Sequence, residues 1–285
     1  MSGFKLTSKY KPLGDQPKAI DSLVSGLNDN QRDQSLLGIT GSGKTFTIAN
    51  VIQKVQKPTL ILSHNKTLAA QLYGEFKSLF PDNAIEYFIS YYDYYQPEAY
   101  MPVTDTYIEK DSSINEEIDK LRIKSSTSLV SRKDVIVIAS VSCIYGVGSP
   151  KEYIDLLITV KKNQIINPKD LFKSLIDIHY LRNDMVIDGG IFRVRGDIVD
   201  IFPIYDEHPI RLEFFGDEIE KISIFDLVTG EILKELEHVT FYPCKNFVTS
   251  KETIEKGIKS IKKELFDRLS LLRKNGLLLE AQRLE

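Results

Sequence analysis

The chain of 285 residues has few of the side chains that bind transition metals or form disulfides. Its two cysteines, Cys143 and Cys244, form no Cys-x-x-Cys pair. Four histidines are scattered without the spacing of metal ligands: His64, His179, His208 and His238. We interpret both cysteines as reduced, and favour small buried apolar side chains over any redox role.

Strong net charge and long apolar runs are also missing. Lys and Arg number 37 against 40 Asp and Glu, a formal net charge of −3, so any DNA binding must depend on a local patch. Apolar runs such as residues 135–139 are far too short to cross a bilayer, and the first residues contain no apolar signal core. These absences predict a cytoplasmic protein without a membrane segment. The length favours about two domains.

A phosphate-binding motif stands between an apolar run, residues 35–37, and a helical run, residues 46–55. We expect the first run to be a strand and the second a helix. The motif matches Gly-x4-Gly-Lys-Thr and consists of Gly38, Ile39, Thr40, Gly41, Ser42, Gly43, Lys44 and Thr45. Backbone N–H groups of such a loop cradle the phosphates of a nucleoside triphosphate. Lys44 would reach the β- and γ-phosphates and the Thr45 hydroxyl would coordinate Mg²⁺; the alternative is a glycine-rich turn that matches by chance.

A helix with one apolar stripe is predicted in front of this loop. Asp15 stands near its cap and Pro17 in its first turn. Gln16 lies at its beginning, where it is either a ligand-side residue or a solvated first-turn residue.

Alternation of strands and helices predicts the fold class, an α/β fold with a parallel sheet. Strands are expected at residues 58–63, 84–89 and 135–139, with a helix over 66–80. The phosphate loop, residues 63–66 and residues 140–142 would all follow strand carboxyl ends, where open α/β sheets bind ligands. His64 and Lys66 are therefore candidates for phosphate or nucleic-acid contacts, or simply cap the next helix.

Six tyrosines crowd a short excursion between these strands, over residues 88–122: Tyr91, Tyr92, Tyr94, Tyr95, Tyr100 and Tyr107. Strict alternation would place Tyr91 and Tyr92 on opposite faces, so some rings should be exposed. Exposed tyrosines can stack on the bases of a single DNA strand, with Lys110 and Arg122 as nearby phosphate contacts. The alternatives are a protein-binding hairpin or rings packed under a loop.

Shorter strands with turn signals follow from about residue 155 and predict an inserted α+β domain. Residues 188–190 are expected to turn a hairpin between strands at 185–187 and 191–195. Arg193 and Arg195 would share one strand face, with Arg182 near the previous turn. This arginine row is either a docking surface or a solvated strand face. A long charged helix, broken near residues 275–276, is expected over residues 252–285.

Five stretches together resemble the UvrB family of bacterial nucleotide excision repair. They are GDQP at residues 14–17, GITGSGKT at 38–45, SHNKTLAAQ at 63–71, SYYDYYQPEAY at 90–100 and FRVRGD at 192–197. The resemblance runs along the whole chain in order. It implies a superfamily 2 helicase-type, RecA-like P-loop NTPase lobe, formed by residues 1–154 plus 244–285, with residues 155–243 as an inserted domain that docks on UvrA.

The resemblance also implies roles for residues. Gln16 would read the adenine of ATP, Lys44 and Thr45 would act on its phosphates and Mg²⁺, and His64 and Lys66 would face the nucleic-acid channel. The tyrosine excursion, including Glu98, would be a β-hairpin inserted between the strands of damaged DNA. Arg182, Arg193 and Arg195 would contact UvrA.

The family's later motifs are not found in these 285 residues. A helicase-type ATPase needs an Asp-Glu motif and a second lobe, so we expect this chain to be the N-terminal part of a longer protein with doubtful ATP turnover of its own. The segment that recruits UvrC is also expected outside it. Two functions remain: an ATP-binding damage-verification subunit loaded on DNA by UvrA, or a non-catalytic UvrA-binding adaptor whose hairpin is a protein contact.

Overall fold

The structure is a computed structural model that describes residues 3–146, 148–249 and 251–285. The first half of the chain alternates helices and strands. In chain order these are α1 (Gln16–Asn28), α2 (Lys44–Val55), β1 (Thr59–Leu62), α3 (Lys66–Leu79), β2 (Ala84–Phe88), β3 (Tyr92–Gln96), β4 (Ala99–Met101), β5 (Thr106–Ile108), β6 (Asp111–Ile114), α4 (Glu116–Ser131) and β7 (Val135–Ala139).

A parallel sheet in the order β1-β7-β2 lies at the centre of this half. On one face, Ile136 and Ile138 of β7 pack against Ala49 of α2 and Phe76 of α3. On the other face, α4 covers β2. Helices on both faces explain why β7 is a continuous apolar run, since neither side of the strand meets water. The predicted α/β class is confirmed.

The strand expected at residues 35–37 is not formed, and that prediction was wrong. The segment 33–39 is assigned no strand, and Leu37 is 95% exposed. A strand needs a hydrogen-bonded neighbour. No strand that the structure describes pairs with this segment.

Four short strands form the tyrosine excursion. β3 pairs with β6 and β4 pairs with β5, both antiparallel. A bulge between Tyr92 and Tyr94 breaks the alternation of side chains. Tyr91 lies before β3, so strand alternation does not apply to it, and its ring lies 4.6 Å from that of Tyr92 instead of on the opposite face, which corrects the expectation.

The second half contains a mixed sheet. Its elements are a 3₁₀ turn (Val141–Ile144), α5 (Pro150–Asp155), β8 (Ile158–Lys161), α6 (Pro168–Asp177), β9 (Leu181–Arg182), β10 (Ile191–Arg195), β11 (Ile198–Phe202), β12 (Ile210–Phe215), β13 (Glu218–Phe225), β14 (Ile232–Glu235) and β15 (His238–Phe241). Six strands follow the order β14-β13-β12-β11-β10-β9, and β15 pairs with β8. One apolar core joins Leu171 and Leu175 of α6 to Phe192, Leu212 and Ile222 of the sheet.

The hairpin expected around residues 188–190 is not formed. Residues 185–187 are in no strand, and β10 pairs instead with β9, in parallel. The reason is local: the Asn183 side chain accepts hydrogen bonds from the N–H groups of Met185 and Val186, which turns the chain away from the sheet.

Two helices end the chain, α7 (Lys251–Lys274) and α8 (Leu278–Leu284). The break lies at Gly276, whose φ of 74° suits glycine, as the sequence predicted. Leu269 and Leu272 of α7 pack on Ala281 of α8. The proposed division of the chain near residues 154 and 243 stays a prediction.

Candidate nucleotide and nucleic-acid site

The phosphate loop is folded on its own backbone. Gly41 and Gly43 have φ of 78° and 75°, and α2 begins at Lys44. The Lys44 ammonium donates to the carbonyl oxygens of Gly38 and Ile39, each at 2.8 Å, and the Ser42 hydroxyl donates to Ile39 O at 2.8 Å. These contacts are exposed to solvent. A phosphate oxygen can therefore replace the carbonyls as the partner of Lys44.

Gln16 lies against this loop. Its Nε2 donates to Ser42 O at 3.1 Å, and its Oε1 accepts from Leu13 N at 3.2 Å. A Cβ added at Gly43 would lie 2.5 Å from Gln16 Nε2. The φ of 75° explains why glycine stands at position 43, because L side chains rarely adopt that conformation. The hydrogen bond from Gln16 to Ser42 O joins two parts of the site, Gln16 and the phosphate loop, that the sequence analysis proposed separately.

An open cavity of about 1370 Å³ extends from the loop between α2 and α3. Its lining includes Gln16, Lys44, Thr45, Tyr10 and Lys11. Main-chain N–H groups at a helix start, a lysine and a threonine hydroxyl form a donor set suited to a nucleoside triphosphate and Mg²⁺. The residues present therefore fit that cofactor.

Lys66 connects the end of β1 to the hairpin. Asn65 caps α3 by accepting from Leu68 N at 2.8 Å, so the capping alternative holds for neither His64 nor Lys66. Lys66 Nζ donates to Tyr92 O at 3.1 Å, and Tyr87 Oη donates to Lys66 O at 3.0 Å. His64 is exposed beside it.

Three tyrosine rings contact one another at tilted angles at the base of the hairpin. The ring of Tyr92 lies between those of Tyr91 and Tyr95, at 4.6 and 5.1 Å, and Lys110 Nζ lies 5.6 Å from the Tyr95 ring. Burial raises the pKa of Tyr91. Tyr94 and Tyr95 are each 49% exposed. This row of rings is open to a nucleic-acid base on its outer side.

The tip of the hairpin holds the remaining predicted contacts. Tyr100 of β4 pairs with Tyr107 of β5, which is 61% exposed, and Glu98 is exposed in the connection between β3 and β4. Sequence reasoning missed a contact here. Asp105 accepts from Tyr100 Oη at 3.0 Å and from Arg283 of α8 at 2.8 and 3.1 Å. Asp105 and Arg283 are 178 positions apart, so no local pattern could have indicated the pair.

Arg122 does not fit the expected phosphate contact, because it is buried. Its Nη1 donates to Ile89 O at 2.7 Å and to Ser142 Oγ at 3.3 Å. The guanidinium group lies over the rings of Phe88 and Tyr91, at 3.9 and 4.9 Å, and burial lowers its pKa. Arg122 thus joins the base of the hairpin to the end of β7. Its charge faces protein instead of solvent.

The arginines of the second sheet differ in their surroundings. Arg195 is exposed. Arg182 is half-exposed and pairs with Asp184 at 2.9 Å, which lowers the pKa of that carboxyl group. Arg193 is mostly buried and pairs at 2.9 Å with Asp200, a residue that the sequence analysis overlooked. Of the three arginines predicted to dock, Arg195 and Arg182 are accessible, although Arg182 is paired, and Arg193 is mostly buried in its ion pair.

Two searches of the structure found nothing further. Among the described residues, no helix is long and apolar enough to cross a membrane. In the same ranges, no three His, Cys, Asp or Glu side chains come together as metal ligands. Burial raises the pKa of the Cys244 thiol to about 12, which suits an unreactive core side chain.

Comparisons with known proteins give two family matches and a set of close relatives. Residues 9–138 match the family described as type III restriction enzyme, res subunit, and residues 158–247 match the UvrB interaction domain. UvrABC system protein B of Bacillus licheniformis is 59% identical over 283 residues, which cover 99% of this chain and 43% of that protein. The proteins of the same name from Bacillus subtilis and Listeria monocytogenes are 58% and 59% identical over the same length. The chain thus spans less than half the length of these relatives.

Proposed function

This chain belongs to the UvrB family, and from that premise we propose that it is the ATP-binding, damage-verifying part of a bacterial nucleotide excision repair system. The observation that carries the proposal is that one chain combines a phosphate loop in contact with Gln16 and a hairpin of exposed tyrosines at the carboxyl edge of the sheet. Residues 63–66, the hairpin and Ser142 all follow the carboxyl ends of β1, β2 and β7.

ATP would bind at the loop. Gln16 would read the adenine, Lys44 would leave the carbonyls of Gly38 and Ile39 for the phosphates, and the Thr45 hydroxyl would help to hold Mg²⁺. Mg²⁺ supplies charge neutralisation to the phosphates when it is bound. We expect little hydrolysis from these 285 residues alone, because Glu75, on α3, is the only carboxylate among the described residues that line the cavity.

The hairpin would enter damaged duplex DNA. The rings of Tyr92 and Tyr95 contact each other at its base, 5.1 Å apart, and Tyr94 is exposed next to them. Stacking on an aromatic ring stabilises an unpaired base by about 1–3 kcal/mol and tolerates any sequence. Lys66 and Lys110, beside these rings, would meet the DNA backbone, as would the exposed His64, two residues before Lys66. A base that a lesion has already unstacked is the least costly to displace.

The insert would dock on UvrA, which delivers the protein to DNA. Arg182 and Arg195 are accessible for an acidic partner surface. Arg193 would support this face through Asp200. The incising nuclease UvrC would be recruited afterwards through residues outside this chain. Work on chromosomal DNA would place the protein in the cytoplasm.

Loading on DNA separates the proposal from an adaptor role. We expect Lys44→Ala to abolish UvrA-dependent loading on a lesion-containing duplex, because ATP loses its phosphate contact, while binding to UvrA is retained. Lys54→Ala is the control, since Lys54 lies on the same helix but pairs with Asp21. Normal loading by Lys44→Ala would favour the adaptor function.

Docking is tested at the exposed arginine. We expect Arg195→Ala to weaken UvrA binding in calorimetry without changing stability, because no ion pair of Arg195 is described. Arg193→Ala is a poorer probe, because it also breaks the pair with Asp200. Unchanged UvrA affinity in both Arg195→Ala and Arg182→Ala would show that docking takes place elsewhere.

A further inference from the structure

The helix that follows the hairpin has a polar buried face. The buried residues of α4 are Arg122, Ile123, Ser125, Thr127 and Ser128, and one of these five is apolar. Ser128 donates to the buried carboxylate of Glu86 at 2.6 Å, and Ser125 donates to Tyr87 O of β2 at 3.4 Å and to Leu121 O of its own helix at 2.9 Å. Hydroxyl groups can exchange such partners with little rearrangement, whereas an interlocked apolar stripe cannot. α4 is therefore held on the sheet by adjustable contacts.

The beginning of α4 is joined to the base of the hairpin. β6 leads into the helix with Asn115 as the cap, whose Oδ1 accepts from Ile118 N at 3.1 Å. Asn115 N donates to Tyr91 O at 2.8 Å, and Asn115 Nδ2 donates to Asp93 at 3.3 Å. One turn further along, Arg122 holds Ile89 O and lies over the Tyr91 ring. A shift of α4 along or about its axis must move these contacts.

The other half of α4 is joined to the segments on either side of the insert. Ser126 Oγ donates to Oδ1 of the buried Asn246 at 2.7 Å. The hydroxyl groups of Thr127 and Tyr153 lie 3.4 Å apart. Elsewhere, a cleft of about 400 Å³ lies between α4 and the insert, with Lys124 of α4 on one wall and Asp206 of the insert on the other. Contact between the insert and this helix is thus polar and incomplete.

Both sets of contacts lie on one rigid element. Asn115 and Ser126 are eleven positions apart, about 16 Å along a helix. We propose that α4 couples the insert to the hairpin, so that a partner bound to the insert changes how firmly the base of the hairpin is held. Ser126 and Asn246 act as positioning residues in this coupling. The inference rests on the proposed docking of UvrA on the insert.

The test is amide hydrogen exchange of β3 and β6, measured with and without purified UvrA. In the unmodified protein, UvrA is expected to change these exchange rates about fivefold or more, the lower end of common allosteric couplings. In Asn246→Ala and in Ser126→Ala the change should fall to less than about twofold, although UvrA affinity by calorimetry stays within about twofold. Asn246→Asp keeps the acceptor for Ser126 and should restore the response.

Ser78→Ala is the matched control, because the hydroxyl groups of Ser78, on α3, and Ser126 both donate to the carbonyl four residues earlier, while Ser126 also donates to Asn246. It should respond as the unmodified protein does. UvrA binding without any change in hairpin exchange would overturn the coupling and leave docking intact. If UvrA changed the exchange rates of Asn246→Ala as much as those of the unmodified protein, the coupling would also be overturned. Absence of UvrA binding would refute docking, and the coupling with it.

Discussion

Asp200 is the residue whose replacement should destabilise the second sheet most. It lies on β11, with its side chain 3% exposed, between Arg193 of β10 and Arg211 of β12. Its two oxygens accept from Arg193 Nε at 2.9 Å and from Arg211 Nε and Nη2 at 2.7 and 3.2 Å. Asp200→Asn keeps the shape and removes the charge. Two neighbouring guanidinium groups then face each other without a counterion.

The expected loss of stability follows from this burial. Removing one member of a buried ion pair destabilises a protein by about 3–5 kcal/mol, because the remaining charge stays desolvated. Arg193 and Arg211 keep 15% and 23% of their side-chain exposure, so water relieves part of the loss. The lower end of the range applies, about 3 kcal/mol. Arg211 also lies 4.3 Å from the Phe225 ring, and that packing should survive.

Urea unfolding followed by circular dichroism measures this effect. Asp217→Asn is the matched control, since it makes the same chemical change at an exposed turn and should stay within about 0.5 kcal/mol of the unmodified protein. If Asp200→Asn also stayed within that limit, the ion pairs would contribute no net stability. The assignment of Arg193 to a structural role would then fail.

Three further changes have defined outcomes. His179 has a φ of 69° just after α6, so His179→Gly should raise the free energy of unfolding by about 0.5–1 kcal/mol. A lower free energy of unfolding, measured by urea denaturation, would contradict this. Burial raises the pKa of Glu86, so the folded state holds the extra proton and stability falls as pH rises through that pKa. At pH 7, Glu86→Gln should therefore unfold at a higher urea concentration than the unmodified protein, and near pH 4 this difference should disappear. A difference that does not change with pH would refute the prediction. Gly43→Ala should weaken ATP binding at least about tenfold by calorimetry, whereas Gly74→Ala, with open space at its Cβ, should not.

Elements with strong local signals could be predicted from the sequence. The glycine pattern located the phosphate loop, and the apolar run at β7 located a strand buried on both faces. The helix break at Gly276 followed from its turn chemistry. In each case a few neighbouring residues determine the backbone conformation, so tertiary contacts did not alter the predicted element.

The remaining features depend on partners that are distant in sequence. Whether residues 35–37 form a strand depends on a neighbour and not on their own apolar character. The burial of Arg122 depends on Ile89 and Ser142, and the pairing of Arg193 depends on a register that places Asp200 opposite it. The contact of Asp105 with Arg283 joins the hairpin to the last helix, 178 positions away. Charge alone favoured exposed, ligand-binding roles for these arginines.

Stable loading on a lesion-containing duplex, in the presence of UvrA and ATP, tests the central claim most directly. The variant is the pair Tyr92→Ala/Tyr95→Ala, which removes two of the contacting rings at the base of the hairpin. Tyr145→Ala, an exposed tyrosine outside the hairpin, is the control. The account predicts that the pair still binds UvrA and ATP but forms no stable complex with damaged DNA. Loading by the pair equal to that of the control would contradict it.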